Sequence, residues 1–85
     1  MSLLNNRSTM VLFHDVIGHR SQKVRIVLAE KGIACDFEPI DSSNIPSEIM
    51  EVNPSGSLPL LIDRDLSLYH SRLIVEYLDE RFPHP

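Results

Sequence analysis

The reactive side chains of this 85-residue chain are few. Four histidines, His14, His19, His70 and His84, belong to the residue type that titrates near neutral pH and serves as general base or metal ligand. None is spaced HxH or HxxxH, so no metal site is expected. His14 and His19 have no nucleophile or orienting partner at a fixed spacing and read as strand-end and loop residues. Cys35 is the single cysteine, which excludes an internal disulfide, a CxxC redox pair and a multi-thiolate zinc site within this chain. It lies at the start of an expected strand, where a thiol packs as a small apolar group, and no role is assigned to it. Asp63-Arg64-Asp65 reads as the solvated tip of a hairpin rather than an acid pair. Ser21 stands where a helical pattern begins, and its hydroxyl is expected to cap that helix.

These residues must be positioned by elements that the hydrophobic pattern defines. Met10 to His14 (MVLFH) is a short apolar run suited to a buried strand, followed by the irregular stretch DVIGHR. From Ser21, SQKVRIVLAEKG sets Val24, Val27 and Leu28 at helical spacing, carries Lys31 in the last turn and stops at Gly32. Asp36 to Ile40 (DFEPI) reads as an edge strand, because its proline cannot donate to a central ladder. Asp41 to Val52 holds a short helix with Pro46 at its start. NPSGSLP is a loop, and LLID with LSLY forms a hairpin. The last helix starts at Ser71, lays Ile74, Tyr77, Leu78 and Phe82 on one face, turns Arg72, Glu76, Asp79 and Glu80 outward, and is ended by Pro83. The order β-α-β-α-β-β-α is that of an α/β domain with a four-stranded mixed sheet and helices on both faces.

Composition bounds the partners. The apolar fraction of 42% and charged fraction of 24% are those of a globular domain, and no window approaches the roughly 20 apolar residues of a membrane helix. Residues 1–9 lack the apolar run of a secretory signal and read as a flexible N-terminal arm ahead of one domain over residues 10–85. A reducing cytoplasmic setting is expected. The net charge of -4 argues against binding nucleic acid directly, which relies on lysine and arginine against phosphates.

Three segments, VRIVLAEKGI (residues 24–33), NPSGSLPLLID (residues 53–63) and LYHSRLIVEYLDERFPHP (residues 68–85), resemble the thioredoxin-like N-terminal domain of glutathione transferases. VRIVLAEKG combined with SRLIVEYLDERFPHP is similar to the stringent starvation protein A family, bacterial transferase-like proteins that associate with RNA polymerase. The resemblance implies a cis bond at Leu58-Pro59, pairing as a homodimer, and an all-helical C-terminal domain that this chain does not contain. It also implies where a glutathione site would lie. Aligning Val24-Arg25 with the end of transferase motifs such as CPFCQRVR places Gly18 at the thiol-activating Cys or Ser and Ser21 at the second cysteine. Leu58 and Pro59 fall at the backbone contact to the cysteinyl group. His70-Ser71 falls where transferases carry an acidic residue followed by Ser or Thr for the γ-glutamyl end.

Glycine brings neither thiol nor hydroxyl, and His70 brings no carboxylate for the ligand's ammonium, so the site is expected to be vestigial and the chain to carry no cofactor. Ser71 reads as a helix cap. The family role of the Pro-His-Pro segment assigns RNA polymerase contact to Pro83, His84 and Pro85; on residues alone the segment is a helix stop. The expectation is a noncatalytic, RNA polymerase-associated regulator of the stringent starvation and stress response. The alternatives are a divergent glutathione-dependent transferase or thiol reductase, and a free-standing thioredoxin-like adaptor for another partner.

Overall fold

A computed structural model describes residues 10–83; the arm expected over residues 1–9, and His84 and Pro85, lie outside the described residues. The elements run β1 (Met10–His14), α1 (His19–Lys31), β2 (Asp36–Pro39), α2 (Ser47–Val52), β3 (Leu60–Asp63), β4 (Leu66–Leu68) and α3 (Ser71–Arg81). They build one mixed sheet in the order β2-β1-β3-β4. β1 pairs parallel with β2, β3 antiparallel with β1, and β4 antiparallel with β3. Pro39 is tolerated because β2 is an edge strand, and Ile40 N–H still donates to the His14 carbonyl at 2.8 Å.

The continuous apolar run of β1 is explained by burial on both faces. Met10 and Leu12 point to one side and pack with Val24 and Leu28 of α1, Leu61 of β3, and Ile74 and Leu78 of α3. Val11 and Phe13 point to the other and pack with Ile40, Leu60 and Ile49 of α2. The period-2 alternation of β1 therefore joins two cores through a single strand.

Helix α1 begins earlier than its apolar spacing predicts. Gly18 is the N-cap residue, His19 and Arg20 are in the first turn, and Gln22 N–H donates to the Gly18 carbonyl at 3.0 Å. Ser21 is thus not a cap; it is a fully buried residue inside the helix. At the other end Gly32 adopts the left-handed conformation at φ 65°, which a residue without Cβ takes up readily.

The hairpin differs too. Asp63 belongs to β3 and pairs with Leu66, so the turn is the two residues Arg64 and Asp65, with Arg64 at φ 60°. The solvated tip expected of Asp63 is replaced by a carboxylate only 4% exposed.

Candidate functional site

The loop after β1 folds back onto the start of α1. Asp15 backbone N–H donates to the Ser21 hydroxyl oxygen at 3.3 Å, and that hydroxyl donates to Asp15 Oδ1 at 2.6 Å. Arg25, one turn further along α1, clamps the same loop by donating to the carbonyls of Asp15 (3.3 Å) and Val16 (3.2 Å). The same guanidinium lies 3.0 Å from His14 Nδ1. A guanidinium only donates, so Nδ1 is the unprotonated nitrogen. Burial, and then the neighbouring Arg25 charge, push the His14 pKa below its ordinary value against the opposing pull of Asp15 and Glu38. His14 is therefore a buried acceptor, edge-on to the Phe37 ring, and not a base exposed for catalysis.

The clamped loop forms one wall of a cleft of about 370 Å³ lined by Asp15, Gly18, His19, Arg20, Ser42, Gly56, Ser57 and Leu58. Its opposite wall is the loop before β3. Asn53, fully buried, donates through Nδ2 to the Ser57 carbonyl at 2.7 Å, and the Ser55 hydroxyl donates to Asn53 Oδ1 at 2.7 Å. Gly56 stands at φ 67° with Met50 Sδ 2.9 Å from where a Cβ would be, so this bend favours glycine. The Leu58-Pro59 bond that follows is cis. A second cleft, lined by Arg20, Leu58, Tyr69, His70, Ser71 and Arg72, adjoins the first through the shared Arg20 and Leu58.

Of the six residues placed in the glutathione-site pattern from the sequence, Gly18, Leu58, His70 and Ser71 line these adjoining clefts, and Pro59 is buried. Ser21 lines neither and is engaged with Asp15. Ser71 opens α3 without acting as its cap, since the N-cap is His70 and no side chain bonds there. Asp15, Arg20 and Arg25 were missed. DVIGHR carries no periodicity, and only the folded loop shows that Asp15 reaches back to Gly18.

That contact decides what the cleft can do. A Cβ on Gly18 would lie 2.2 Å from Asp15 Oδ2, 2.5 Å from Oδ1 and 2.6 Å from Cγ. The Asp15 carboxylate thus occupies the space in which a cysteine or serine at this position would begin its side chain. A carboxylate there disfavours an incoming thiolate by like-charge repulsion, where activation needs a donor. At position 18 the chain offers a glutathione thiol no side-chain donor. Among the described residues no group of three or more His, Cys, Asp or Glu gathers as for a metal, and no helix is long and apolar enough to cross a membrane.

The family described as glutathione S-transferase, N-terminal domain, matches residues 12–85. Stringent starvation protein A homologues from Histophilus somni and Pasteurella multocida are 56% and 55% identical over 84 residues, each covering 99% of this chain. The chain spans 40% of the length of either relative. Among solved structures, a glutathione S-transferase from the Antarctic clam Laternula elliptica superposes with a TM-score of 0.83 at 32% identity, over 89% of this chain and 36% of that one. With its four-stranded mixed sheet and thioredoxin-like order, the chain belongs to the family of glutathione S-transferase N-terminal domains.

Proposed function

We propose that this domain serves a noncatalytic, RNA polymerase-associated regulator of the starvation and stress response, acting in the cytoplasm as a homodimer and binding protein rather than nucleic acid. The observation that carries the noncatalytic part is the Asp15 carboxylate in the space that a side chain at position 18 would need. The similarity to stringent starvation protein A homologues supports the regulatory part, and the net charge of -4 supports a protein partner over nucleic acid. Contact is assigned to Pro83, His84 and Pro85, where proline rings fix the backbone before binding and so reduce the entropy lost on association.

The test is binding of the intact protein to purified RNA polymerase by interferometry. His84→Ala and the Pro83→Ala, Pro85→Ala double substitution are expected to weaken binding by about tenfold or more, in the range of interface hot spots. Glu51→Ala, on the exposed side of α2, serves as control. Parent-like binding by both variants refutes the assignment. A divergent glutathione-dependent transferase is the alternative, favoured by Leu58 and Ser71 facing adjoining clefts. Turnover of glutathione by the intact protein would establish it.

A further inference from the structure

The last turn of α3 is held from two sides by groups the cleft does not use. From α1, the Lys31 ammonium, with a side chain only 10% exposed, donates to the Phe82 carbonyl at 2.7 Å and lies 3.1 Å from Asp79 Oδ1. Phe82 N–H in turn donates to the Leu78 carbonyl at 2.8 Å, so both polar groups of the Phe82 backbone are fixed. From β3, the buried Asp63 carboxylate receives the Tyr77 hydroxyl on Oδ2 and lies 3.3 Å from Arg81 Nη1. Burial, and then Asp63, raise the Tyr77 pKa, which keeps the hydroxyl a donor. Arg81 then covers the Phe82 ring at 5.3 Å. Asp63 Oδ1 is buried with no hydrogen-bond partner among the described residues.

A helix end on the surface has no need of so much. Its final carbonyls can be satisfied by water, and an exposed surface pair contributes little. Here a lysine is largely desolvated to reach the Phe82 carbonyl and Asp79, and a carboxylate is buried with one oxygen unpaired among the described residues, both directed at residues 77–82. Such groups are unfavourable to bury unless they are paired, and the partners that pair Lys31 and Asp63 all lie in the last turns of α3 or at Phe82. The feature they fix is the direction in which the chain leaves α3 at Phe82.

We infer that Lys31 and Asp63 are positioning residues for partner binding: they lock the end of α3 so that the chain leaves Phe82 toward Pro83 in one direction. This rests on the assignment of contact to Pro83, His84 and Pro85. If loss of Lys31 leaves about one tenth of the molecules in the competent orientation, the apparent Kd rises about tenfold, because affinity scales with the competent fraction.

The experiment measures binding of the intact protein to purified RNA polymerase at a temperature where every variant is folded. Alongside it, hydrogen exchange is followed at the Phe82 amide and, as an internal reference, the Ile74 amide, which donates to the His70 carbonyl at 2.8 Å. Lys31→Met is expected to raise Kd about tenfold and speed exchange at Phe82 but not at Ile74. Lys31→Arg, which keeps a donor, recovers most of the affinity. Asp79→Asn, which leaves the Phe82 carbonyl bond in place, stays within about twofold of the parent. Asp63→Asn, close to isosteric, tests the second brace if Lys31→Met does not fold, and is expected to weaken binding in the same direction. If His84→Ala weakens binding while Lys31→Met and Asp63→Asn bind as the parent does, the positioning role is overturned and the contact assignment stands. If His84→Ala itself binds as tightly as the parent, both fall together.

Discussion

Gly18→Ala isolates the contact on which the noncatalytic assignment rests. Gly18 has φ -78° and ψ 137°, which any residue adopts, so alanine brings no backbone strain. The three heavy atoms nearest the new methyl group all belong to the Asp15 carboxylate, 2.2 to 2.6 Å away. Asp15 is short and pinned by the Ser21 hydroxyl at 2.6 Å, so making room breaks a charge-assisted hydrogen bond worth about 1.5–3 kcal/mol. Replacing glycine stiffens the unfolded chain and returns about 0.4–1 kcal/mol. The net loss is about 1–2 kcal/mol, which lowers the Tm of a domain of this size by roughly 5–15 °C. Asp15→Ala abolishes the clash in advance, so the double substitution is expected to lose less than the sum of the singles by about 1.5–3 kcal/mol, the whole of the clash. Thermal melts of the four proteins measure the cycle. Additive losses, or a Gly18→Ala melt matching the parent, would show that the carboxylate does not fill that space.

Two further predictions follow from groups outside the cleft. The His14 imidazole, held below its ordinary pKa of 6.5 by burial and Arg25, binds fewer protons folded than unfolded, so stability is unaffected above about pH 7 and falls as the pH drops through 6.5 toward the depressed value. Urea midpoints across that range are expected to decline in the parent and to decline less in His14→Gln. The Cys35 thiol, pushed up to about 12 by burial and then by Asp36, holds about a thousandfold less thiolate than an ordinary cysteine. The greater nucleophilicity of a more basic thiolate offsets part of this, leaving alkylation of the folded protein about thirtyfold slower than that of free cysteine. A rate equal to free cysteine would contradict that environment.

Element order, edge position and core stripes were legible because they follow from periodicity and from proline. Val24 and Leu28, and Ile74 and Leu78, show the i, i+4 spacing and are buried where that spacing puts them. What was not legible came from tertiary contact. Ser21 carries the chemistry of a cap, yet Gly18 caps the helix, because the Asp15 loop uses the Ser21 hydroxyl. Asp63 looks like a turn residue, yet lies one position inside β3 and meets Tyr77 and Arg81 from a helix that begins eight residues later. Gly18 drew attention as a missing nucleophile, but its neighbour in space, Asp15, is three residues away with no signature to link them. Lys31 read as a last-turn charge and turned out to reach across to the end of another helix.

The most direct test of the central claim is the thiol pKa of glutathione itself, followed by thiolate absorbance across pH with the intact protein in excess. A scaffold with glycine at the activating position and the Asp15 carboxylate beside it predicts the value of free glutathione, unchanged at any protein concentration. A pKa that falls toward neutrality and saturates with protein would mean that the cleft stabilises a thiolate, and would contradict the account.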